Sequence, residues 1–140
     1  MNECERIYER WHDYARGRDV PALLDLYADD AVFESPLVPA ILGQESGILR
    51  GRAEILRFLE EGTRRRPNDL VRWYRTGKYF VNGGTLVWEY PRQTPEGNQI
   101  DILEVMDISG GKITHHRIYW GWFGCGQLVG SAARKARAEG

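Results

Sequence analysis

Residues 99–123 read QIDILEVMDISGGKITHHRIYWGWF. Two runs of period-two alternation, Gln99 to Ser109 and Lys112 to Phe123, flank Gly110-Gly111, a two-glycine turn signal. The spacing predicts a hairpin of two long strands. Along the first, the even positions Ile100, Ile102, Glu104, Met106 and Ile108 form one row in which only Glu104 is charged. Successive side chains on a strand point to opposite faces, so Glu104 shares the face of those apolar neighbours. The odd row, Asp101, Leu103, Val105 and Asp107, has charged ends and an apolar centre suited to a face shared between solvent and a partner subunit.

Working outward, Leu70 to Val81 and Thr85 to Gln93 are two more strand candidates, separated by turn signals at Asn82-Gly83-Gly84 and Pro95-Glu96-Gly97-Asn98. Short turns between sequential strands predict an antiparallel meander. Upstream the period is helical. Asn2 with Glu5 three residues on is a capping pattern, followed by Ile7, Trp11 and Tyr14 at helical spacing and ended by Gly17. Asp19 caps a second helix with Pro21 in its first turn and Leu23, Leu24 and Tyr27 as its buried stripe. That helix fades at Asp29-Asp30, and Ala31 to Glu34 is a short strand closed by Pro36. Residues 35–50, with two prolines and two glycines, are expected to be a loop folded over something. Gly51-Arg52 opens a third helix carrying Ile55, Phe58 and Leu59 and ending near Arg64-Arg65-Arg66-Pro67. That basic run is either an anion site or a solvated last turn, which the helix dipole favours. Ser131 to Gly140 is a short helix or a frayed tail. Helices first and a meander after is the α+β layout: three N-terminal helices on one face of a strongly curved, mainly antiparallel sheet, in one domain spanning residues 1–140.

The chain's 140 residues suffice for one core without disulfides or metals. Twenty acidic residues against 19 basic ones leave no excess to steer nucleic acid or an anionic membrane. No apolar run is long enough for a membrane span, and the acidic start is not a secretory signal. Cys4 and Cys125 lie far apart outside any C-x-x-C pattern, so both are expected as free thiols in a reducing, cytoplasmic compartment. The adjacent His115 and His116 diverge on a strand and no third ligand is suitably spaced, so neither a metal nor another cofactor is expected. Gly-rich phosphate loops and nucleophile elbows are absent from the sequence; Gly121 to Gly126 is glycine-rich but reads as a strand end. Five Trp and seven Tyr are the conspicuous feature, calling for a large core, a pocket or an interface.

Several of these segments resemble one family. Tyr27-Ala28-Asp29-Asp30-Ala31-Val32-Phe33 resembles the junction of second helix and first strand in SnoaL-like, nuclear transport factor 2-like proteins. Gly51-Arg52 with Ile55 and Phe58 resembles their third helix, and Gly111-Lys112-Ile113 with His116-Arg117-Ile118-Tyr119-Trp120 their last hairpin. Order and spacing fit over about residues 5 to 123. The resemblance implies a cone with an internal pocket and a homodimer through the outer sheet face. It implies no single activity, because the family spans steroid isomerases, polyketide cyclases, epoxide hydrolases and members without chemistry. The isomerases carry a general-base Asp where this chain has Ser35, with Glu34 one place earlier; a one-residue step along a strand reverses the face. Trp11 stands where they use a helix Tyr, with Tyr8 and Tyr14 nearby. Ile118 stands where the cyclases keep an Asp. Glu104 matches the family's frequent acid on the penultimate strand.

Glu104 is therefore the candidate acid or base, since desolvation disfavours its charged form and suits it to proton transfer. The alternative is a structural ion pair with an Arg. A strict two-residue turn sets Glu104 opposite Arg117; a longer turn, or a bulge after Ile113, is expected to set it opposite His116. The resemblance favours the second, with His116, Ile118 and Trp120 inside, His115 outside, and Glu104 and His116 as a proton-transfer pair. His12 is expected to be structural. Trp11, Tyr14, Tyr27, Phe58, Trp88, Tyr90 and Met106, with Ile118 and Trp120, would line a site for a small apolar, cyclic molecule. Three functions stay open: a cofactor-free cyclase, isomerase or hydrolase acting through Glu104, a non-catalytic ligand-binding module, and a dimerisation module with a filled interior.

Overall fold

The computed structural model describes residues 2–65, 79–93, 99–122, 124–126, 130 and 137–138. The expected strand from Leu70 lies outside them up to residue 78, as do the turn at 95–98 and most of the tail after Ser131. Helix α1 (Glu3–Arg16) starts where its cap predicts: the Glu5 backbone N–H donates to Asn2 Oδ1 at 2.8 Å. Glu3 and Glu5 in the first turn and Arg16 in the last complement the helix dipole. Its buried face is broader than three residues and includes Cys4, Ile7, Tyr8, Trp11, His12 and Ala15. Helix α2 (Val20–Asp25) is capped by Asp19, which accepts from the Ala22 N–H at 3.1 Å.

Tyr27 corrects the expected second helix. It is the first residue of β1 (Tyr27–Glu34), not the last of a helical stripe. A six-residue helix is too short to hold its end against a competing ladder, and here the Ile113 N–H donates to the Leu26 carbonyl at 2.8 Å while Tyr27 pairs with Ile113. The register along β1 then shifts between Tyr27 and Val32; Asp29 and Asp30 are exposed there, while Tyr27, Ala31 and Phe33 are buried.

Residues 35–50 are likewise more ordered than a loop. Helix α3 (Leu37–Leu42) buries Val38 and ends at Gly43, whose φ of 68° suits glycine. Strand β2 (Ile48–Arg50) pairs antiparallel with β1. Ser35 starts this segment: its Oγ accepts from the Leu37 N–H at 3.1 Å, and its own N–H donates to the Gly47 carbonyl at 3.0 Å. A Cβ on Gly47 would lie 3.0 Å from the Ser35 carbonyl oxygen, so the close approach favours glycine. Helix α4 (Arg52–Arg65) is the expected third helix, fourth in fact, and buries Ile55 and Phe58.

The sheet holds six described strands in the order β2-β1-β6-β5-β4-β3, adding β3 (Phe80–Asn82), β4 (Thr85–Gln93), β5 (Gln99–Ser109) and β6 (Lys112–Trp120). Only the β1–β6 pair is parallel among them. The sheet is curved, with helices on its inner face, so the α+β layout holds. Leu86 and Trp88 of β4, Ile102, Met106 and Ile108 of β5, and Ile113 of β6 meet Ile7, Tyr8, Trp11, Leu23, Ile55 and Phe58 of the helices in one core. Strand β6 stops at Trp120, not Phe123; beyond Gly121 the Cys125 N–H bonds back to the Gly121 carbonyl, and Trp122 stands 91% exposed.

The hairpin register departs from both expected alternatives. Gly110 and Gly111 have φ of 59° and 77°, a two-residue turn that pairs Ser109 with Lys112. Ile108 pairs with Ile113, but Asp107 pairs with His115, so Thr114 is a bulge. An extra residue on β6 carries each later partner one place onward. Glu104 therefore faces Ile118, Val105 faces Arg117 and Met106 faces His116. The bulge nonetheless turns His116 to the inner face and His115 to the outer.

Candidate functional site: a buried glutamate and its histidine

Glu104 sits mid-strand on the inner face of β5, 2% exposed. Its direct neighbours across the ladder are Trp88 on β4 and Ile118 on β6. His116 lies one diagonal step away, opposite Met106, within reach of a long side chain. The diagonal is bridged: His116 Nε2 hydrogen-bonds Glu104 Oε2 with both side chains buried. On its other side, His116 Nδ1 lies 2.8 Å from the Tyr27 hydroxyl. Tyr27 is 1% exposed; burial pushes its hydroxyl far above the ordinary phenol range, the Glu104 charge adds to this, and the nearby Trp11 weakly opposes it. The hydroxyl stays protonated at any working pH.

An aromatic wall surrounds these groups. Trp88, 1% exposed, meets Trp11 and Tyr8 edge-on at 5.4 Å between ring centroids. Phe33 meets the His116 ring edge-on at 4.9 Å and Phe58 at the same separation. Met106 is fully buried beneath His116. Of the other expected wall residues, Tyr14 and Ile118 are half-buried and pack against the core, and Trp120 is half-buried. Tyr90 pairs with Ile102, but its side chain lies outside the described residues. Among the described residues, the buried indole N–H groups of Trp88 and Trp120 meet no acceptor.

His12 is a polar member of this wall that the sequence reading set aside as structural. Its Nδ1 lies 2.8 Å from the Tyr8 carbonyl, and its ring sits 4.3 Å from Tyr8 and 5.2 Å from Trp88. Burial holds its imidazole below the ordinary value, against the opposing pull of that carbonyl. The signal was present: Tyr8 and His12 are four apart on the helical face that carries Trp11.

The arginine expected as a structural partner for Glu104 is engaged elsewhere. Arg117 points outward and holds Asp107 at 2.8 Å, with Thr85 donating to the same carboxylate at 3.0 Å. That guanidinium lowers the Asp107 carboxyl below its usual range. His115, also outward, lies 3.0 Å from Glu34. Glu34 therefore does not reach the interior, and the Ser35 hydroxyl is engaged by the Leu37 N–H at the start of α3. Where β1 leaves β6, an open groove of about 490 Å³ is lined by Glu34, Ser35, Pro36, Arg117, Ile118 and Tyr119. Ile118 is thus shared between the groove and the cross-strand neighbourhood of Glu104.

The sequence matches the SnoaL-like domain over residues 7–116. The chain belongs to the SnoaL-like family. The fold agrees with solved SnoaL-like and related structures. A SnoaL-like protein of unknown function from Burkholderia thailandensis is 22% identical, with 86% of this chain and 95% of that one covered and a TM-score of 0.67. A candidate ketosteroid isomerase from Kribbella flavida is 17% identical, over 86% and 78% of the two chains, with a TM-score of 0.64. TerC, co-crystallised with polyporic acid, is 16% identical, over 91% and 98%, with a TM-score of 0.68. No curated protein matches the sequence. Among the described residues of this SnoaL-like chain, no three His, Cys, Asp or Glu side chains gather to hold a metal, and no helix is long and apolar enough to cross a membrane. Cys4, buried, and Cys125, exposed, are free.

Proposed function

We propose that the chain binds a small apolar, cyclic molecule beside Glu104 and that Glu104 moves a proton on it without a cofactor. One observation carries this reading: a carboxyl 2% exposed, among aromatic and aliphatic side chains, hydrogen-bonded by a buried histidine while Arg117 is held outside by Asp107. Burying a carboxyl in such surroundings costs stability that an apolar side chain would not, and functional sites are where such costs concentrate. A proton acceptor in a water-poor site is suited to abstraction next to a carbonyl. Ile118 lines the groove and is also the direct cross-strand neighbour of Glu104.

The test is binding of a planar polycyclic phenol, a stand-in for an enolic intermediate, followed by tryptophan fluorescence in wild type and Glu104→Gln. Polyporic acid, the compound crystallised with TerC, is a second probe. Wild type should bind the phenol, and Glu104→Gln should bind it roughly 10- to 100-fold more weakly, the size of a hydrogen bond to a charged group. Equal binding by both proteins would place the ligand away from Glu104 and end the proton-transfer reading.

A second reading has its own support. Tyr8, Trp11, His12 and Trp88 already touch one another, as they would in a module whose interior is filled. No phenol binding in either protein would favour it. Under both readings we propose a homodimer through the outer sheet face, where half-buried Leu103 and Val105 lie near the 53% exposed Tyr119. Sedimentation equilibrium at micromolar concentration should give twice the chain mass; a monomer would remove this interface.

A further inference from the structure

We infer that the buried hydrogen-bond chain runs in one direction, from Tyr27 through His116 to Glu104, and that Tyr27 and His116 are positioning residues that leave the Glu104 carboxylate as the site's proton acceptor. The direction follows from the Tyr27 hydroxyl. It is almost wholly buried, and among the described residues its hydrogen-bond partner is His116 Nδ1, at 2.8 Å. A buried hydroxyl proton needs an acceptor, so it goes to His116 Nδ1. A nitrogen that accepts carries no proton, so the ring's proton sits on Nε2 and is donated to Glu104 Oε2. The opposite arrangement, with the proton on Nδ1, would leave the hydroxyl's own proton without an acceptor in a residue closed to water.

The consequence alters the expected roles. With both ring nitrogens engaged, His116 does not face a ligand. It orients Glu104, and Tyr27 sets the tautomer that lets it do so. The Tyr27 hydroxyl is likewise occupied, so it is not a ligand anchor. The positioning role of both residues rests on the reading of Glu104 proposed above; the direction of the chain does not.

Long-range proton–nitrogen spectra of protein labelled with [15N]histidine decide the matter at neutral pH, with His116 assigned from the signals missing in His116→Gln. Wild type should show His116 protonated on Nε2 alone. In Tyr27→Phe, Nδ1 should shift to the position of an unbonded imine nitrogen. A wild-type ring protonated on Nδ1, or on both nitrogens, overturns the direction without need of any variant, and an unmoved Nδ1 in a folded Tyr27→Phe overturns the role of Tyr27. The predicted tautomer together with phenol binding indifferent to Glu104→Gln would uphold the direction and overturn the positioning role with the function it serves.

Discussion

His116→Leu should unfold in urea with about 2–5 kcal/mol less stability than wild type, because two buried polar groups each lose a partner at roughly 1–3 kcal/mol apiece. The substitution keeps apolar bulk where the ring meets Phe33 and Trp11, so the loss is mainly polar. Glu104 loses the donor to Oε2, and Tyr27 loses the acceptor for a hydroxyl that burial prevents from ionising. Glu104→Gln is the matched control. Its amide oxygen can still accept from His116 Nε2, so a loss of about 1 kcal/mol is expected. A Glu104→Leu/His116→Leu double variant should recover part of the single-variant loss, because replacing both members of a buried pair by apolar residues is frequently tolerated. If His116→Leu unfolded within about 1 kcal/mol of wild type, the pair would not be formed in the dry interior described above.

Trp88→Ala is expected to cost about 3–5 kcal/mol by the same measurement. Trp88 is 1% exposed and packs on rings from α1, so truncation opens a cavity between sheet and helix that neither rigid element can close. Trp88→Phe should cost far less than its lost volume suggests. The indole N–H is buried without an acceptor among the described residues, and phenylalanine removes that unpaired donor along with the second ring. Similar large losses for both substitutions would mean that the N–H is satisfied, by water or by a residue outside those described.

The parts of the fold that were legible in the sequence are those where a local signal and the tertiary outcome agree. Asn2 and Asp19 cap the helices they precede, and alternation from Thr85 onward gives three strands with a two-glycine turn. Glu104 stood out because charge in an apolar row is visible without any knowledge of packing. Residues 37–42 were not legible, since a six-residue helix with one buried side chain leaves no stripe to detect. Tyr27 was misplaced because its strand is set by a ladder to Ile113, far along the chain. The register was half legible. The two-residue turn and the bulge each entered as alternatives, but Thr114 has no residue signature that marks it as the bulged position, and the structure uses both devices together. The partners of His116 followed neither direct pairing, because a diagonal contact depends on side-chain length and on the inward turn that the bulge creates.

The adjacent histidines of β6 have a consequence of a different kind. Each meets a glutamate through Nε2, His116 with Glu104 inside and His115 with Glu34 outside. The inner side chains are 1% and 2% exposed, the outer ones 34% and 36%. The strand thus carries its own internal reference: two histidines adjacent in sequence, each bonded to a glutamate from another strand, one pair wet and one dry. Any divergence between the two rings' signals in a single spectrum separates the influence of surroundings from that of chemical identity, making this strand a built-in gauge of interior polarity for whatever molecule comes to rest against it.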